Sequence, residues 1–184
     1  MRQLLKPHPD SRGVAPARVE VDITRPRADR LALSYIVTGQ MSDIRMPPVR
    51  PAARTNDLWQ HTCFEAFVRA SSGPAYYEFN FAPSTEWAAY RFDGYRSGMR
   101  VAAEIGAPAI EVRSGPDSTT LQAALALDRL PDLPPEASWR LGLSALIENQ
   151  SGGKSYWALA HPPGKPDFHH AYCFALEFSP AVPS

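Results

Sequence analysis

The chain has no long apolar run. No stretch of about 18 apolar residues occurs, so no membrane-spanning helix is expected. The opening residues, MRQLLKPHPDSRGVAPARVE, offer only a Leu-Leu pair where a secretory leader needs about 7–15 apolar residues. A cytoplasmic chain without a membrane partner is therefore expected. An excess of one charge is missing as well. Nineteen basic and nineteen acidic residues cancel, and no block of either sign marks a nucleic-acid partner. Cysteine is scarce: Cys63 and Cys173 each sit in an apolar run and read as buried free thiols, not a disulfide frame. No nucleophile elbow, phosphate loop, Cys-x-x-Cys or His-Glu-x-x-His pattern is present, and each absence removes a familiar catalytic or metal chemistry.

What the 184 residues do hold is an apolar fraction of 44%, enough for a core, and 10% aromatics, too many for a disordered chain. The nineteen prolines, about twice the usual share, fall between apolar runs. Those runs are short and alternate with period two: VEVDI (19–23), RLALSYIVTG (30–39), TCFEAFVR (62–69), YYEFNFAP (76–83) and WAAYRFDGY (87–95). AIEVR (109–113), TTLQAALALD (119–128), WRLGLSALIE (139–148), SYWALA (155–160) and YCFALEF (172–178) follow. Such segments, divided by Gly, Pro, Asp and Ser clusters, predict an antiparallel all-β sandwich or barrel of about ten strands. LQAALALDRL contains helix formers, but Leu121, Ala123, Leu125 and Leu127 alternate and prolines end the run, so it reads as a strand. Residues 1–17 and 179–184 read as loose ends, and 41–58 as one long loop of a length that often carries function.

Alternate strand residues face opposite ways. In YYEFNF, Tyr77, Phe79 and Phe81 then point to the core, and Tyr76, Glu78 and Asn80 away from it. Glu65 shares a face with Cys63 and Phe67, and Trp87 shares one with Ala89 and Arg91. If register follows polarity, Glu65, Glu78, Asn80 and Arg91 gather on one surface beside Trp87 and Tyr76. Carboxylates, an amide and a guanidinium hold hydroxyl groups, and an aromatic face stacks on a sugar ring, so the set suits a polyol ligand. A solvated sheet face would show the same alternation, and Glu65 alone also reads as a buried acid that fixes register. A glycoside-processing enzyme using Glu65 and Glu78 as paired acids is a further alternative, since facing strand positions can provide separations of about 5–9.5 Å.

The runs DLWQHTCFEAFVRASSGPAYYEFNFAPSTEWAAYRFDGY and LGLSALIENQSGGKSYWALAHPPGKPDFHH resemble the bacterial DOMON-like proteins, a superfamily that includes the family 9 carbohydrate-binding modules. The likeness spans roughly residues 17 to 178 as one domain. It implies a jelly-roll-like β-sandwich with a non-catalytic ligand site for sugar or haem. Trp59 and Glu65 match the modules' first aromatic strand, and Tyr77, Glu78, Asn80 and Trp87 the next. His61, Thr62 and Cys63 stand where those modules carry an acidic pair, so their calcium site is not carried over. Haem would need axial ligands such as His61, His161, His169 or His170 with Met41, Met46 or Met99. Haem-binding relatives are mostly exported, which ranks haem below sugar.

Three of the five histidines fall in HPPGKPDFHH, residues 161–170. A metal there needs converging ligands, yet neighbouring His169 and His170 point apart in an extended segment, leaving one to join His161, with His61 or Asp167 as a third. The prolines at 162, 163 and 166 bar a central strand and stiffen the segment. It reads as a rim loop presenting His161, Asp167 and His169. The expected function is binding of a saccharide or sugar-like metabolite by Trp59, His61, Glu65, Tyr76, Glu78, Asn80, Trp87, Arg91, His161, Asp167 and His169, with a haem or metal protein as the alternative.

Overall fold

The computed structural model describes residues 1–11, 16 and 18–179. Its strands are β1 (Arg2–Leu4), β2 (Lys6–Pro7), β3 (Arg18–Thr24), β4 (Arg30–Thr38), β5 (Cys63–Ala70), β6 (Tyr76–Phe81) and β7 (Trp87–Phe92). They continue as β8 (Arg100–Val101), β9 (Ala109–Ser114), β10 (Ser118–Ala126), β11 (Trp139–Glu148), β12 (Lys154–Ala158) and β13 (Leu176–Phe178). One sheet has the order β1-β3-β4-β10-β9; the larger runs β2-β12-β11-β5-β6-β7-β8, with β13 also paired to β11. Every pairing between these strands is antiparallel. The fold is an antiparallel β-sandwich, as the alternating runs predict.

The core lies between the sheets and follows the two-residue period. β4 contributes Leu31, Leu33, Tyr35 and Val37, and β10 contributes Leu121, Ala123 and Leu125. β5 and β6 answer with Phe64, Ala66, Val68, Tyr77, Phe79 and Phe81. The segment LQAALA is thus a strand, central to its sheet. The two sheets are also joined by a polar contact: the buried Tyr35 hydroxyl on β4 donates to the Glu65 carbonyl on β5 (2.6 Å). A buried hydroxyl without that acceptor would carry the full cost of desolvation.

The inner strands of the larger sheet, β5, β6, β7 and β11, are buried on both faces. β5 and β6 hold hardly an exposed residue, although Glu65, Glu78 and Asn80 alternate with their apolar positions. The second face is covered by a smaller apolar group of Phe67, Tyr76, Ala88, Tyr90, Phe92 and Phe174, with Leu58 and Phe168 packed on it. Connecting segments therefore lie over the sheet, and a site built there sits beneath a roof.

Two sequence expectations change, and the long 41–58 segment gains detail. The first residues are not loose: β1 pairs with β3, and β2 with β12. The rest of that expectation, at residues 12–15, 17 and 180–184, lies outside the described residues. YCFALEF is a strand only over Leu176–Phe178; its start is a 3-10 turn, Ala171–Cys173, capped where the His170 ring nitrogen accepts from the Tyr172 N–H. The 41–58 segment is fastened rather than free. Arg54 lies over the Trp87 ring at 4.2 Å and donates to the Ile105 carbonyl (3.1 Å), and a 3-10 turn at Leu58–Gln60 closes the segment.

Candidate functional site

Directly paired residues on neighbouring strands share a face. On the outer face of the larger sheet, Glu65 of β5 stands between Asn80 of β6 and Ser144 of β11, and Glu78 between Phe67 and Tyr90. Glu65 and Glu78 are 4% and 6% exposed, and Asn80 is fully buried. Ser144 Oγ donates to Glu65 Oε2 (3.0 Å), and Asn80 Nδ2 donates to Glu78 Oε1 (2.8 Å). Asn80 Oδ1 is buried without a partner among the described residues. Burial first, and the neighbouring Glu78 second, push Glu65 up to about 8. Burial likewise raises Glu78, against the opposing pull of Asn80 and Arg96. Both acids are thereby held toward their neutral forms.

The two carboxyl groups form part of the lining of a cavity of about 570 Å³. Its walls come from distant parts of the chain. Asp57 and Trp59 arrive from the 3-10 turn, Tyr90 and Phe92 from β7, Leu146 and Tyr156 from β11 and β12, and Arg96 and Met99 from the connection after β7. Pro166, Phe168 and His169 of the proline-rich loop form the remaining side. Trp59 is 50% exposed, whereas Trp87, Trp139 and Trp157 are all buried. An exposed indole beside buried carboxylates gives the cavity one apolar platform and a polar interior.

His169 is set over the acids by its neighbours. Its ring packs edge-on to Phe67 and Phe92, with both centroids at 5.1 Å. The Tyr76 hydroxyl accepts from the Arg96 backbone N–H (3.2 Å) and is hydrogen-bonded to His169 Nδ1 (2.8 Å). The other ring nitrogen, Nε2, faces Glu78 Oε2 at 3.8 Å. Burial and the nearby Arg96 push His169 down to about 4, which keeps the ring neutral at neutral pH. Asp167 stands behind that wall. It accepts from the Tyr95 hydroxyl (2.5 Å), the Arg96 guanidinium (2.7 Å) and the His169 N–H (3.2 Å), tying the proline loop to the connection after β7.

Of the residues singled out from sequence, Trp59, Glu65, Glu78 and His169 line this cavity. Asn80, Tyr76 and Asp167 support it from behind. Arg91 and Trp87 do not join them. In the β6–β7 hairpin Phe81 pairs with Trp87 and Tyr77 with Arg91, so both lie on the core-side face. Trp87 belongs to the core, and Arg91 forms an ion pair with Asp132, which also accepts from the Tyr77 hydroxyl (2.8 Å). Pairing by polarity failed there because apolar pairing of Phe81 with Trp87 sets the hairpin. His61 bonds Glu148 Oε2 (2.8 Å) and lines a different cavity, of about 590 Å³, with Arg45, Arg50 and Glu86. His161 donates from Nε2 to the Lys6 carbonyl (2.8 Å) and packs against His8. The histidines thus disperse, and among the described residues no three His, Cys, Asp or Glu side chains converge as a metal site.

Sequence reasoning passed over Tyr90, Phe92, Tyr156, Phe168 and Arg96. The first two would have followed from the correct hairpin register. Nothing in the local pattern marks the others, which reach the cavity by long-range packing.

No protein-family model and no curated protein matches the chain. Solved structures do. A putative carbohydrate-binding protein from Bacteroides uniformis superposes with a TM-score of 0.65 at 14% identity, over 94% of this chain and 83% of that one. A family 9 carbohydrate-binding module from Caldicellulosiruptor kristjanssonii, in complex with cellotriose, gives 0.53 at 12% identity, over 89% and 74%. At such low identity these likenesses establish the sandwich architecture.

Proposed function

We propose that the protein binds a small saccharide, without transforming it, in the cavity over the outer face of the larger sheet. The observation that carries this reading is the half-exposed Trp59 beside two buried carboxyl groups. The indole offers a stacking face for a sugar ring, and Glu65 and Glu78 offer hydrogen bonds to its hydroxyls. A non-catalytic role is favoured because burial drives both acids the same way. Acid–base chemistry on a glycoside needs one carboxyl kept protonated and its partner kept ionised. The similar structures, a putative carbohydrate-binding protein and a cellotriose complex, support a saccharide as the ligand class. Kinship with the DOMON-like proteins and a cytoplasmic location belong to the same proposal. Calorimetric titration with monosaccharides and cello-oligosaccharides tests it. Saturable binding that is lost in Trp59→Ala is expected; no heat at millimolar ligand would overturn the reading.

A further inference from the structure

Few hydrogen bonds from the protein reach the two acids that line the cavity. Ser144 and Asn80 each give their hydrogen bond to a carboxyl oxygen. Glu65 has one oxygen receiving none among the described residues, Glu78 Oε2 has only the His169 ring at 3.8 Å, and Asn80 Oδ1 has no partner. Among the described residues no cation is hydrogen-bonded to either acid. The Arg96 guanidinium, which also lines the cavity, is engaged by Asp167 at 2.7 Å. Two desolvated acids with no cation hydrogen-bonded to them among the described residues are held toward protonation, and the bare amide oxygen of Asn80 is buried behind them.

Around these acceptors stand five aromatic rings: Trp59, Tyr90, Phe92, Tyr156 and Phe168. The negative faces of aromatic rings attract a cationic ammonium, and buried carboxylates give it ionic hydrogen bonds. A neutral hydroxyl placed there would leave both acids held toward protonation, whereas an ammonium would let them ionise beside it.

We propose that the preferred ligand carries a primary ammonium group, as an amino sugar does, with the ammonium seated between Glu65 and Glu78. This inference rests on the saccharide reading for the rest of the ligand but depends on different atoms. Trp59 would hold the ring, and the acids would select the amine.

The test is calorimetric titration of the intact protein at pH 7 with D-glucosamine, D-glucose, N-acetyl-D-glucosamine and ethanolamine. The expected result is glucosamine at least about tenfold tighter than glucose or the N-acetyl sugar, with Glu78→Gln narrowing that gap to about twofold. Equal or tighter binding of glucose would overturn the ammonium inference and leave the saccharide reading standing. Binding of ethanolamine without any sugar would support the ammonium seat and overturn the saccharide. Absence of binding by all four would overturn both. The wild-type ligand series decides these outcomes even where Glu78→Gln fails to fold.

Discussion

Trp59 and Arg91 mark two fates of a polar or amphipathic residue in this sandwich. Trp59, half exposed at the cavity, has little to hold in the fold. Trp59→Ala should weaken saccharide binding at least about tenfold, or 1.4 kcal/mol, while stability stays within about 0.5 kcal/mol as for other surface changes. Titration followed by tryptophan fluorescence checks the first expectation, and thermal melting the second. Because the other three indoles are buried, a ligand-dependent emission change should disappear in Trp59→Phe. Arg91 is the converse. It is paired with Asp132 and Asp93, away from the cavity. Arg91→Ala should leave affinity within about twofold and cost about 1 kcal/mol through the lost ion pair with Asp132, which keeps only the Tyr77 hydroxyl, lowering the melting temperature by about 2–4 °C.

At the level of the element, β11 is held at the centre of the larger sheet by β5, β12 and β13, and Gly142 is where the chain after the proline loop comes down on it. A Cβ there would stand 3.0 Å from the Cys173 carbonyl oxygen. Gly142→Ala should therefore lift the Ala171–Cys173 turn, destabilise the protein by about 1–3 kcal/mol as overpacking does, and weaken ligand binding by displacing His169. Melting and titration of the same variant measure both effects. Strands were legible in the sequence because burial imposes period two, as in Leu31, Leu33, Tyr35 and Val37. Glu65, Glu78 and Asn80 could be assigned to one face for the same reason. Hairpin register was not legible, since YYEFNF and WAAYRF each offer apolar residues on both faces, and that ambiguity misplaced Arg91 and Trp87. The wall formed by Tyr156 and Phe168 depends on how loops close over the sheet, which no local pattern encodes.

For the whole molecule, the buried site makes stability depend on pH. Glu65 and Glu78 hold their protons more tightly folded than unfolded, so stability is greatest below the ordinary glutamate value and falls as pH rises through the window up to about 8. His169, pushed down to about 4, acts oppositely: stability is lost as pH falls from about 6.5 toward 4. The two slopes offset each other in mildly acidic solution, and only the glutamate slope remains above about 6.5. Melting temperature should fall between pH 6.5 and 8, and Glu65→Gln with Glu78→Gln should flatten that decline. Differential scanning calorimetry across the interval checks it. The bond from Tyr35 to the carbonyl of Glu65 has a consequence of another kind. The strand that carries a cavity-lining acid is clamped from the far sheet at that same residue. On the saccharide reading, changes of ligand preference would fall on Asp57, Trp59, Arg96, Met99, Phe168 and His169, so descendants of this chain could change what they recognise without renegotiating how they fold.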